Sequence, residues 1–240
     1  MHTILYIGVV IGAFFLGSLW TKVQILEKGG VAGNVAQQTG TTTTGQTAQP
    51  PQAPVVQLDQ VRDAFTKSLI KFGDAKKKLV FIEVADPSCP YCHVAAGFNA
   101  ELNKQIGDKF KLVADGGTYV APVPEMKKLV DSGKASLAYL YTPGHGNGEL
   151  GTKALYCAFE KGKFWEVHDK MMTNEGYTLL NDVVKNDKTK ISDLVGFLKS
   201  AMNSNDLQKC LESGKYDSRL QTDIGLASGL GIQGTPGFLV

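Results

Sequence analysis

Cys89-Pro90-Tyr91-Cys92-His93 is the stretch of this chain whose residue types and spacing could do chemistry on their own. Two cysteines separated by two residues can close a small disulfide ring. At the first turn of a helix, unpaired N–H groups and the helix dipole also stabilise a thiolate. Thiols in such motifs have pKa values lowered to about 3.5–7.5. By position, Cys89 is expected to be the exposed nucleophile and leaving group, and Cys92 the more buried thiol that resolves the mixed disulfide. Pro90 suits the first helical position, where no N–H donor is needed. The same residues also spell C-x-x-C-H, the pattern of c-type haem attachment with His93 as axial ligand. Zinc is a weaker third reading, because Cys157 and Cys210 are isolated rather than a second close pair of ligands.

The flanking elements decide between the first two. Leu79 to Val84 is a short β-rich run, as a buried strand would be. Beyond the motif, Val94, Phe98, Leu102 and Ile106 recur on one helical face, and Gly107 suits the end of that helix. A cysteine pair at a strand-to-helix junction favours dithiol exchange, which calls for no cofactor and no metal. His93 is then expected to be a partly exposed residue of the first turn, assisting electrostatically.

Other elements follow from the same patterning. Leu58, Val61, Phe65, Leu69 and Phe72 predict an amphipathic helix. Lys109 to Ala114 alternates as a half-exposed strand does, and Ser136 to Tyr141 is another strand candidate. Gly116 to Lys134 contains Pro122, Pro124 and a short helix through Met126, Leu129 and Val130. From Gly148 to Ser228 the pattern is helical throughout. Gly229 and Gly231 end that region before Thr235-Pro236 and a final run entering a strand.

The N-terminus is different in character. Residues 3–21 carry no charge and are dominated by apolar residues, about the length that crosses a bilayer as a helix. A cleaved signal peptide is the rival, but a basic leading region and a small-x-small site directly after the run are both missing. Residues 29–54, with four consecutive threonines and Pro50-Pro51, are too polar to offset their ordering entropy and predict a disordered linker. Lys plus Arg number 25 against 23 Asp plus Glu, a net charge of +2 with no basic stripe, which gives nucleic-acid binding no support.

From about Leu79 onward the chain resembles the DsbA-like branch of the thioredoxin superfamily. The resemblance is carried by Glu83 through His93, Cys157 through Asp169, Cys210 through Tyr216 and Gly231 through Pro236. It implies an α/β thioredoxin-like fold over residues 55–240, with a helical insertion at about 148–228; the composition of residues 3–21 and 29–54 places a transmembrane helix and a flexible tether before it. It implies that Pro236 is a cis-proline facing the redox pair, where an ordinary trans turn proline is the alternative, and that Pro90, Tyr91, Thr235 and Pro236 receive an extended substrate strand. Glu83 would be the buried acid that takes the resolving thiol's proton; the alternative is an edge charge pointing at solvent. Cys157 and Cys210 would form a second, structural disulfide, with two reduced buried cysteines as the other option. Phe164, Trp165 and His168 fall at helical spacing and read as packing residues of the insertion. The family continues past the strand after Pro236, so the domain is expected to be truncated at its C-terminus.

The resulting expectation is a membrane-anchored protein thiol–disulfide oxidoreductase on the extracytoplasmic side, with oxidase-type donation favoured over reductase or isomerase activity. Its partners would be cysteine-containing exported proteins and a membrane redox partner that recycles the dithiol. An anchored c-type cytochrome and a non-catalytic chaperone-like binder are the readings from other classes.

Overall fold

Leu58, Val61 and Phe65 build helix α1 (Leu58–Lys67), which ends where Ser68 turns extended at ψ 141°. The periodicity predicts that this helix runs on to Phe72, and the structure departs from it. Ile70–Phe72 form strand β1, antiparallel to β3 (Ser136–Tyr141), with Ile70 opposite Tyr139 and Phe72 opposite Leu137. Apolar residues at i, i+3 and i+4 do not distinguish a helix from a helix followed by a strand. Here the ladder to β3 wins, and β-branched Ile70 suits it. The structure, a computed structural model, describes residues 56–240; the apolar run 3–21 and the linker 29–54 lie outside the described residues. Among the described residues no helix is long and apolar enough to cross a membrane.

Strand β2 (Val80–Ala85) is buried at every position, as expected of a central strand covered on both faces. It pairs in parallel with β3 on one side and antiparallel with β4 (Gly237–Leu239) on the other, giving the sheet order β1-β3-β2-β4. Alternation then divides the strands. Val80, Ile82 and Val84, with Ala138 and Leu140, pack against Val61 and Phe65 of α1 and against Ala227 and Leu230. Ala85, Tyr139 and Tyr141 face the opposite way, toward Cys89, Cys92 and the helices between β3 and β4. Glu83 shares that second face by register.

After β2 the chain enters helix α2 (Pro90–Ala96), and a second helix α3 (Ala100–Ile106) follows. The single continuous helix predicted from Val94 to Ile106 is therefore broken. Gly97 adopts φ 75°, a left-handed conformation that glycine takes at little cost, and it caps α2 there. Residues 109–114 are not a strand either. They lie in two short 3-10 turns, Asp108–Phe110 and Val113–Asp115, held by an isolated bridge between Leu112 and Tyr119. Helix α4 (Pro122–Asp131) then leads into β3.

Between β3 and β4 lie α5 (Glu149–Glu160), α6 (Phe164–Met171), α7 (Asn174–Thr178), α8 (Ile191–Leu198), α9 (Ser204–Glu212) and α10 (Arg219–Gly229). A knot of aromatic rings fastens this block to the sheet edge. Phe72 stacks on Trp165 at 5.3 Å between centroids and meets Phe159 edge-on at 5.6 Å. Phe164 lies 5.6 Å from Tyr139. Such pairs contribute about 0.5–1.5 kcal/mol each beyond their buried area. A disulfide between Cys157 of α5 and Cys210 of α9 closes a separation of 53 residues.

Candidate active site

Cys89 caps the N-terminus of α2, with Pro90 as the first helical residue. Its carbonyl accepts from the N–H groups of Cys92 (3.1 Å) and His93 (3.2 Å), so both thiols are fixed by one turn of backbone. The Cys89 thiol lies 3.4 Å from the carbonyl oxygen of Thr235. Thr235 and Pro236 are joined by a cis peptide bond, directly before β4. The fold therefore brings Cys89, Cys92, Thr235 and Pro236 together across 146 residues of sequence.

Cys89 is not the openly exposed thiol that its position in the motif predicts. Residue exposure is 4% for Cys89 and 2% for Cys92. The loop after β3 closes over Cys89: a Cβ added to Gly144 would overlap the Thr235 hydroxyl and touch the Cys89 side chain. What separates the two thiols is electrostatics. A hydrogen bond from Cys92, helped by Thr235, draws Cys89 down to about 6 against the opposing effect of burial. Cys92 is pushed well above its ordinary range, first by burial and then by its bond and charge coupling to Cys89. At neutral pH Cys89 is a thiolate and Cys92 a thiol, the division of labour that exchange requires.

Asp86 and Ser88, whose roles the sequence pattern does not indicate, hold this geometry. The fully buried Asp86 carboxylate accepts from the backbone N–H and hydroxyl of Ser88, both at 2.7 Å, and from the N–H groups of Gly144 (2.7 Å) and His145 (3.0 Å). Asn147 N–H adds a bond to the Ser88 hydroxyl at 3.1 Å. One carboxylate thus ties the turn before Cys89 to the loop that covers it. Only spatial neighbours separated by 58 and 59 residues reveal this role.

His93 also departs from expectation. It is fully buried, with Nδ1 3.0 Å from the Met172 carbonyl and Nε2 2.8 Å from the Pro87 carbonyl. Burial lowers its pKa to about 4, so it is neutral near pH 7. With both ring nitrogens engaged by backbone oxygens and no exposure, His93 offers no free nitrogen to a haem iron. The haem reading of C-x-x-C-H fails on that geometry.

Glu83 is 3% exposed on β2, opposite Tyr139 on one side and Phe238 on the other. Burial lifts its pKa to about 7, with the charge of His168 opposing. It is a buried acid rather than an edge charge. Tyr91 is about half exposed and meets Phe110 edge-on at 6.2 Å; Phe110 meets Tyr119 at 5.5 Å. These rings run from Tyr91 of α2, between the two cysteines, to Phe110 and Tyr119 of the 107–121 stretch. Cys157 and Cys210 stand apart from the dithiol, joined to each other within the helical block.

The thioredoxin family model matches residues 123–240, a span that begins after the dithiol and includes Thr235 and Pro236. A variant of Wolbachia pipientis alpha-DsbA1 is 17% identical with a TM-score of 0.51, covering 74% of this chain and 78% of its own. Reduced DsbG from Mycobacterium tuberculosis is 16% identical with a TM-score of 0.49 over 75% of this chain and 81% of its own. Oxidised BdbD from Bacillus subtilis is 19% identical with a TM-score of 0.46 over 70% and 79%. No curated protein matches the sequence. With a strand-to-helix dithiol, a Thr-Pro turn opposite it and a helical block between β3 and β4, the described residues have a thioredoxin-like α/β fold, similar to that of the alpha-DsbA1 variant.

Proposed function

We propose that this chain is a membrane-anchored protein thiol–disulfide oxidoreductase that donates disulfides to cysteine-containing exported proteins. The observation that carries the reading is the split between the two thiols. Cys89 is held near 6 while Cys92 is driven far above its ordinary value. A stabilised Cys89 thiolate is a good leaving group, which makes the Cys89–Cys92 disulfide easy to reduce and hence a donor. An incoming substrate thiolate attacks Cys89, releasing Cys92 with the electron pair. A second substrate thiol then displaces Cys89, leaving the substrate oxidised and the dithiol reduced. Thr235, Pro236, Pro90 and Tyr91 surround the attacked sulfur and are assigned to hold an extended substrate segment.

The anchor is assigned to residues 3–21 from their apolar composition and the spacer to 29–54 from theirs. The extracytoplasmic placement rests on the chemistry, since disulfides persist in oxidising compartments. A membrane redox partner would reoxidise the dithiol after each turnover. The test is the reduction potential of Cys89–Cys92 in glutathione buffers. A value near about −120 mV supports donation, whereas one near about −270 mV makes the chain a reductase and overturns the oxidase assignment.

A further inference from the structure

Cys89 must meet an incoming sulfur, yet it is only 4% exposed. Its cover is the loop Pro143-Gly144-His145-Gly146-Asn147-Gly148, which follows β3 and carries three glycines. A Cβ on Gly144 would sit 1.8 Å from the Thr235 hydroxyl oxygen and 3.2 Å from Cβ of Cys89. One on Gly148 would sit 1.8 Å from Oδ1 of Asp86. Packing that tight leaves no room for a client sulfur beneath the loop, so exchange requires the loop to lift. Every residue from Pro143 to Gly146 is exposed, so hydrogen bonds rather than buried apolar side chains hold it down.

Part of that grip comes from Asp86 and Ser88 beneath the loop, and the rest comes from the helical block. Leu179–Val184 form a π-helical stretch directly after α7. Wide turns of this kind are rare and frequent at functional sites. From this stretch the Asn181 amide donates to the Ser88 carbonyl at 3.1 Å, and its oxygen accepts from the Asn147 side chain at 3.1 Å. The stretch ends in two non-glycine residues with left-handed backbone, Lys185 at φ 45° and Asn186 at φ 61°. Such conformations persist where the surroundings over-determine them. Asn186 donates to the Gly146 carbonyl at 2.8 Å and accepts from the Leu150 N–H at 3.1 Å. Asn147, Asn181 and Asn186 are all only partly buried, so water can replace these bonds and each contributes modestly.

We propose that residues 143–147 are a lid over Cys89, latched by Asn181 and Asn186 as positioning residues, and that a client's sulfur reaches Cys89 only while the latch is open. The proposal rests on the oxidoreductase reading and adds its gate. Lifting Gly144 breaks its bond and that of His145 to Asp86, and water takes their place. The attack itself is unchanged: the client's thiolate bonds to Sγ of Cys89, the Cys89–Cys92 bond breaks, and Cys92 takes the electron pair. The observed exchange rate is then the rate of attack multiplied by the open fraction.

The experiment alkylates the reduced full chain with iodoacetamide across pH. The midpoint of the profile reads the Cys89 thiolate, and its plateau reads access. Asn186→Gly keeps the left-handed backbone and removes the latch amide. It is expected to raise the plateau about two- to tenfold, the factor that one lost hydrogen bond gives, with the midpoint in place and Cys92 still unreactive. Asn181→Ala should do the same, and disulfide donation to a peptide dithiol should rise by the same factor in both. Should the variants fail to fold, hydrogen exchange in the unmodified chain carries the test. The amides of Gly144, His145 and Asn147 are expected to exchange faster than those of β3. Equal protection would mean that the loop opens only with the whole fold, and would overturn the lid. So would an unchanged plateau in folded variants, or a plateau that rises together with Cys92 alkylation. A chain whose alkylation answers to the latch, but which never oxidises the peptide, keeps the lid and loses the oxidoreductase reading.

Discussion

The two cysteine pairs of this protein are the same chemical object in opposite settings. Cys89 caps the start of a helix, and Cys92 lies in its first turn. Cys157 and Cys210 lie in the last turns of α5 and α9, where the partial negative charge of the helix end disfavours a thiolate. Around Cys89 are a hydrogen-bonding partner thiol, the Thr235 turn and a buried carboxylate that fixes the covering loop. Around Cys157 is apolar core, including Leu155, Leu207 and Leu211. Opening the first pair yields an anion held by a thiol donor and a helix start; opening the second would leave one at the ends of two helices, where neither dipole favours it. The difference teaches that sulfur spacing makes a disulfide possible, while the electrostatics of the opened state decide whether it is a reagent or a staple.

Each side of that comparison can be broken separately. Cys89→Ser should reduce peptide oxidation and insulin reduction to the uncatalysed background; retained activity would remove Cys89 from its role. Replacing Cys157 and Cys210 together with alanine should lower unfolding free energy by up to about 4 kcal/mol, as the chain-entropy model gives for a separation of 53 residues. The reduction potential of Cys89–Cys92 should stay unchanged in that variant, and a shifted potential would mean that the two pairs communicate.

Glu83→Gln should slow resolution by about a hundredfold and, at alkaline pH, stabilise the fold. The carboxyl titrates near 4.5 when unfolded and about 7 when folded. Its contribution is therefore fully present below about 4.5 and lost as pH rises through about 7, a loss on the order of 3 kcal/mol that glutamine avoids. Denaturant titrations at pH 5 and pH 8.5 check this. Alkylation of the reduced protein should show one thiol reacting with a midpoint near pH 6, assigned to Cys89 by mass spectrometry. A midpoint above about 8 would mean an ordinary thiol and erase the contrast. The smallest effect is expected from Ser88→Ala, which removes the hydroxyl bonds to Asp86 and Asn147. It should cost about 1–3 kcal/mol and speed Cys89 alkylation by loosening the covering loop.

Much of this was legible in the residues. The buried runs Val80–Ala85 and Ser136–Tyr141 are apolar and β-rich enough to announce central strands. Motif spacing placed Cys89 at the start of a helix, whereas only the family resemblance, and not the Thr235-Pro236 dipeptide itself, pointed to a turn opposite it. Where local patterning failed, competition between equally periodic alternatives was the cause. Ile70–Phe72 left the helix for a sheet partner 65 to 69 residues away in the ladder with Leu137–Tyr139. Gly97 broke a helix whose apolar spacing was continuous, because its left-handed backbone turned the chain.

Residue type and spacing by themselves determined that a dithiol sits at a strand-to-helix junction, since helix-end chemistry is local. The tertiary structure decided the rest. Whether Glu83 faced core or solvent depended on which sheet face the helices covered. His93 was withdrawn from the surface by the Met172 and Pro87 carbonyls. Asp86 became a clamp only when the loop from Gly144 to Asn147 folded back over it. Burial and charge coupling depend on distances between residues far apart in the chain, and those distances exist only once the core has closed.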